Sequence, residues 1–188
     1  MEKTLRINET SEGFIAYCQG SSSPFSFLAG QRELSAQKVH DNYLFASQAS
    51  PGRYMLQLVW PDLHAGISDL DGSHDLEILG GYLHYEMEYQ KQALGNQLTP
   101  DSLGVRKLPT GRQFLIWCSE PADSPSPAGP GDGEDTSGSR TATPYSGFAS
   151  MRNGRELVVF GIQGLGSGWT RDAVRIKAIR IAFSTFFD

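Results

Sequence analysis

The residues from Gly111 to Gly164 constrain the fold of this chain most tightly. Arg112-Gln-Phe-Leu-Ile-Trp-Cys118 is an apolar, aromatic run with strand character. Gly147–Met151 and Glu156–Phe160 flank Asn153-Gly154, a dipeptide that favours the φ > 0 pair of a tight hairpin turn. These segments read as a β-meander. Between them, Pro121 to Pro144 holds five prolines and no aliphatic residue larger than alanine. Such a stretch has too little to bury to offset its ordering entropy. It is expected to be a disordered insert, residues 121–144, within one hairpin.

The rest of the chain adds strands around this meander. Residues 3–8 alternate, with Leu5 and Ile7 on one face, and Phe14–Cys18 follows a turn, so the chain opens on a hairpin. Phe25–Leu28 is a short edge-strand candidate, and Gln31–His40 reads as a helical turn or two. Tyr43–Ala46 and Arg53–Trp60 flank Ser50-Pro-Gly52 and form another hairpin. In Arg53–Trp60 both faces are largely apolar, as in a central strand. Val105–Leu108 pairs with the run from Arg112.

Two helices are expected. Ser73 is a suitable N-cap, Asp75 and Glu77 suit the positive end of a helix dipole, and Leu76, Leu79, Leu83, Met87 and Leu94 recur at helical spacing. This predicts a helix over 74–98, weakened by Gly80-Gly81 and ended by Thr99-Pro100. Thr170 caps a second helix, 169–187, with Ile176, Ile179, Phe183 and Phe186 as its apolar stripe. Its residues also alternate as a strand would, but the cap and Ala173, Ala178 and Ala182 favour helix. Residues 161–168 read as a glycine-rich loop.

At 188 residues, one domain spanning 1–188 is expected. The formal net charge of −5 argues against a nucleic-acid partner, which calls for a basic face. No apolar run reaches the ~20 residues of a membrane span, and the N-terminal residues do not have the pattern of a signal peptide. A cytoplasmic protein is expected. Cys18 and Cys118 sit in apolar runs and read as buried thiols, with a disulfide between neighbouring strands left open.

The motifs point away from catalysis. The glycines of 161–168 fit neither the Gly-Lys-Ser/Thr ending of a phosphate loop nor Gly-x-Gly-x-x-Gly. Asp69, Asp71, Ser73, Asp75 and Glu77 have calcium-loop spacing, but His74 stands at the obligatory glycine and Gly80 at the closing glutamate. No catalytic residue, cofactor or metal is assigned. Tyr82, Tyr85 and Tyr89 share one helix face beside Glu86, and tyrosine is a residue that interfaces prefer.

Leu108-Pro-Thr-Gly-Arg-Gln-Phe-Leu-Ile-Trp117, then Arg155-Glu-Leu-Val-Val-Phe160, then a closing helix ending in Phe183-Ser-Thr-Phe-Phe187, resembles the PsbP/DcrB-like α+β domain. The resemblance covers roughly residues 50–188 without the insert. It implies a non-enzymatic binding module of the kind that includes adaptors and chaperones of bacterial secretion systems. The expected fold is thus α+β, a twisted, mainly antiparallel sheet packed against two helices. The expected function is occlusion of a basic protein partner, as a toxin-immunity or effector-adaptor protein does. The expected contacts are Asp69, Asp71, Asp75, Tyr82, Tyr85, Glu86 and Tyr89. The alternative is a small-ligand- or metal-dependent enzyme using loops 62–77 and 161–168.

Overall fold

The structure is a computed structural model, and it describes residues 3–31, 34–40, 42–47, 53–63, 74–94, 99–120, 145–165 and 168–188. The 121–144 insert lies outside the described residues. The strands are β1 (Thr4–Thr10), β2 (Gly13–Gln19), β3 (Phe25–Gly30), β4 (Leu34–Val39), β5 (Asn42–Ser47), β6 (Tyr54–Val59), β7 (Thr99–Lys107), β8 (Gln113–Glu120), β9 (Ser146–Asn153), β10 (Glu156–Gly164) and β11 (Phe186–Phe187). The helices are α1 (Asp75–Leu94) and α2 (Arg171–Phe183). The α+β class and the antiparallel pairing expected from the hairpins are both present.

The strands divide into two sheets rather than one. A four-stranded sheet runs β1-β2-β3-β11, and a seven-stranded sheet runs β4-β5-β6-β10-β9-β8-β7. After β6 the chain passes through α1 to the far edge at β7. It then returns strand by strand, so that β10 closes against β6. β10 is therefore the middle strand, and its run of β-branched and aromatic residues is buried on both faces, as a central strand requires. Val158, Phe160 and Ile162 face the core shared with the four-stranded sheet and α2, while Leu157 and Val159 face α1.

α2 packs more closely than its bulky residues imply. Thr170 Oγ1 accepts from the Ala173 amide at 3.2 Å, the expected N-cap. The buried stripe, however, is Val174, Ala178, Ile181 and Ala182. Ile176 is 49% exposed and Phe183 43%, and Phe186 belongs to β11. Of the predicted stripe, Ile179 packs partly buried against the core, while Ile176, Phe183 and Phe186 are corrected: small residues let the helix backbone approach the sheet. A Cβ on Gly147 of β9 would lie 2.9 Å from the carbonyl of Val174.

Two further boundaries differ from expectation. Residues 34–39 form an edge strand instead of a helical turn, held by β5. Thr99-Pro100, expected to stop the helix, begins β7; proline is tolerated there because β7 is an edge. Cys18 and Cys118 are buried free thiols, and burial raises the pKa of both. No described helix is long and apolar enough to cross a membrane.

Tyr54 ties the two sheets together. Its hydroxyl donates to the Ala29 carbonyl at 2.9 Å, and burial pushes its pKa up to about 12. An unfolded tyrosine ionises near pH 10. The folded value is raised, so the associated stability is intact below pH ~10 and is lost as pH rises towards ~12. That loss amounts to roughly 2–3 kcal/mol. Urea unfolding at successive alkaline pH values is expected to show this decline, and Tyr54→Phe is expected to make it shallower.

Candidate functional site

α1 lies over β8 and β9. The apolar face that holds it there comprises Ile78, Leu79 and Leu83, packed on Leu115, Trp117, Leu157 and Val159. The sheet extends further, towards β5 and β6, than this contact. Between α1 and that flank runs a groove of about 1030 Å³. Gln57 and Val59 of β6, Leu157, Val159 and Gly161 of β10, Phe148 of β9 and Trp117 of β8 line its sheet side. Glu77, Ile78, Gly81, Tyr82, Tyr85, Glu86 and Tyr89 line its helix side.

The sheet side is flat and aromatic for a local reason. Gly161 stands opposite Phe148 in the β9–β10 register. A Cβ at Gly161 would come within 3.2 Å of the Phe148 ring, so the bare glycine leaves that ring its place. Phe148 then stacks on Trp117, with centroids 3.9 Å apart and planes 10° from parallel. The Trp117 indole nitrogen is buried and has no acceptor among the described residues.

The helix side combines phenols and carboxylates. Tyr85 and Tyr89 are 64% and 52% exposed and stack at 6.4 Å with planes 17° apart. Tyr82 lies deeper, its hydroxyl 3.5 Å from Glu86 Oε2; burial first, then the Glu86 charge, raises its pKa. Gly81 stands where a Cβ would meet nothing within 4 Å among the described residues. None of the described neighbours demands this glycine, although it costs a helix interior about 1 kcal/mol relative to alanine.

Among the described residues, the lining carries the carboxylates of Asp62, Glu77 and Glu86 and no lysine, arginine or histidine. Asp62 is already matched by Lys3, Nζ to Oδ1 being 3.1 Å. Desolvation opposes its ionisation, yet hydrogen bonds from Lys3 and Ser21 hold its pKa below the ordinary carboxylate value. Glu77 and Glu86 are the other carboxylates of this lining, and Glu86 accepts from the Tyr82 hydroxyl. Planar rings beside carboxylates are suited to holding a cation with an apolar stem.

The expected contact residues separate into three groups. Tyr82, Tyr85, Glu86 and Tyr89 come together on the groove wall. Asp75 does not present a free carboxylate: its Oδ1 accepts from Arg152 Nη1 at 3.1 Å, with both side chains largely buried. Asp69 and Asp71 lie outside the described residues, as do Ser73 and most of the 62–77 loop. The residues that sequence reasoning missed are Glu77, Gly81, Trp117, Phe148 and Gly161. Glu77, Gly81, Tyr85 and Tyr89 follow one another at steps of four along one helix row, a readable signal. The sheet side becomes visible only once the strand register is known.

The glycine-rich segment also finds its explanation in packing. Residues 161–164 belong to β10 instead of a loop. A Cβ on Gly164 would come within 2.2 Å of the Trp169 ring, so that glycine is required by its neighbour. Residues 166–167 lie outside the described set.

The sequence matches no protein-family model and no curated protein sequence. The structure is similar to the solution structure of cyanobacterial PsbP (CyanoP) from Synechocystis sp. PCC 6803. The match covers 99% of this chain and 92% of that one, with a TM-score of 0.54 and 10% identity. At that identity the likeness concerns the fold alone, and the fold is PsbP-like.

Proposed function

We propose that this chain is a non-enzymatic binding module that occludes a segment of a protein partner in the groove between α1 and the seven-stranded sheet. The exposed Tyr85–Tyr89 pair on the groove wall carries this reading. Tyrosine supplies large, rigid contact area at low entropic cost, and clustered tyrosines are where interface energy concentrates. The acidic net charge of −5 would speed capture of a basic partner. A toxin-immunity or effector-adaptor role in a bacterial cytoplasm is the concrete form of the proposal, because such proteins act by covering a surface.

The product of the adjacent gene, co-expressed and purified with this chain, tests the proposal. A stable complex is expected. Tyr85→Ala with Tyr89→Ala should weaken it about 30-fold, the equivalent of ~2 kcal/mol at an interface hot spot. Both rings are exposed, so thermal stability should hardly change. A complex indifferent to the double substitution would place the interface elsewhere.

A further inference from the structure

Small residues seat α2 on the seven-stranded sheet, and bulky apolar ones are left on its other side. Val174, Ala178, Ile181 and Ala182 are buried, while Ile176 is 49% exposed and Phe183 43%. These two stand two turns apart along one side of the helix. Surface helices normally turn polar residues outward. A single exposed apolar residue needs no explanation, but several together on one element mark a contact surface.

We propose that this side of α2 pairs with the same side of α2 in a second copy of the chain, antiparallel about a two-fold axis at Ile176. The charges select this occupant. The exposed residues of α2 are Asp172, Ile176, Arg180 and Phe183. The first three follow at steps of four and form one ridge along the helix. No ion pair joins Asp172 or Arg180 to another of the described residues. The other cations of α2 are only half-exposed, and Lys177 lies over the Tyr54 ring at 4.3 Å. The ridge thus reads acid, apolar, base from its first turn to its last. Two such ridges laid end for end place Asp172 of each copy beside Arg180 of the other, with Ile176 against Ile176 between them. A parallel arrangement would set like charges together, which is disfavoured. This surface is therefore complementary to itself, as a two-fold interface must be.

The contact is small. α2 has 13 residues and is about 20 Å long, so the buried area falls below the ~1,200 Å² of a stable complex. A weak, reversible dimer is the consequence. It leaves the groove free, because α2 packs on the face of Val158, Phe160 and Ile162 while α1 packs on that of Leu157 and Val159. The dimer would present two grooves, so a partner with two matching segments would gain avidity. The pairing stands or falls independently of what the groove binds.

Sedimentation of the full-length chain from about 5 µM to about 500 µM tests the pairing, and a monomer–dimer equilibrium with Kd of about 50 µM is expected. Asp172→Arg alone and Arg180→Asp alone each place like charges opposite one another at both ends of the contact. Each should weaken dimerisation about tenfold or more. Mixed in equal amounts, the two variants should associate with each other about as tightly as the parent, because each charge again meets its opposite. Ile176→Lys should also weaken the dimer about tenfold, and should leave Tm within about 2 °C because the side chain is exposed. A parent chain that stays monomeric at the highest concentration would overturn the proposal. So would a dimer indifferent to Ile176→Lys and to both charge reversals, which would lie on another face. A mixture of the two charge variants that stays monomeric would refute the antiparallel pairing.

Discussion

Glu156→Ala is expected to lower the unfolding free energy by about 3–5 kcal/mol. Glu156 is 0% exposed, an unusual place for a carboxylate. Its Oε1 accepts from the Ser21 amide at 2.9 Å and lies 3.0 Å from Ser21 Oγ, and its Oε2 accepts from the Ser22 amide at 3.3 Å. Lys3 Nζ stands 3.7 Å away. These contacts fasten the β2–β3 loop of the four-stranded sheet to the β9–β10 hairpin of the seven-stranded sheet. Asn153 adds to the same clasp by donating to the Ser23 carbonyl at 2.7 Å, and the Arg155 amide donates to Ser22 Oγ at 2.9 Å. Removing the carboxylate leaves the partly buried Ser21 and Ser22 amides without their acceptor and takes from Lys3 one of its two carboxylate partners, Asp62 remaining. Glu156→Gln keeps the shape and one acceptor and should cost less. Urea unfolding of both variants measures the difference, and the order Ala below Gln below the parent is the expected result.

Phe160→Ala is expected to cost a similar 3–5 kcal/mol by a different route. Phe160 sits at the centre of β10, fully buried, with its ring 4.8 Å from that of Phe27 on β3. Phe27 in turn meets Phe45 edge-on at 5.8 Å. The ring therefore fills the space where the two sheets face each other, and neighbours anchored on two sheets can collapse only partly around the cavity. Phe160→Leu, which restores much of the volume, should recover more than half of the loss. Denaturant unfolding with an unchanged slope separates this cavity cost from a change in the unfolded state.

The parts of the fold that were legible in sequence are those set by neighbours along the chain. Asn153-Gly154 marks the β9–β10 hairpin as expected, but the turn itself is one residue further on: Gly154, at φ 58°, and Arg155 form it, and Asn153 closes β9 opposite Glu156. Thr170 caps α2 as its residue type predicts. What was not legible depends on distant pairing. Leu34–Val39 has no period-2 alternation because most of its residues are solvent-facing on an edge strand, and only β5 makes it a strand. The division into two sheets rests on β11 returning to β3, more than 150 residues away in sequence. The candidate site divides in the same way. Its helix side could be read from spacing, because i, i+3 and i+4 neighbours define a face. Its sheet side, Trp117 beneath Phe148 beside Gly161, arises from three strands in register and from a glycine whose value lies in the ring it admits. Asp75 is the clearest case of a misleading local signal. An acid at a helix start suits the dipole, but Arg152, 77 residues later, makes it an internal ion pair.

The groove as the working surface is tested most directly by photocrosslinking in the native host. The chain would carry p-benzoylphenylalanine at position 85, on the groove wall, or at position 17, where Tyr17 is exposed on the four-stranded sheet. A single partner crosslinked from position 85, absent from position 17 and lost when Glu77→Gln and Glu86→Gln are added, is the predicted result. The same partner crosslinked from position 17 and not from position 85 would contradict it.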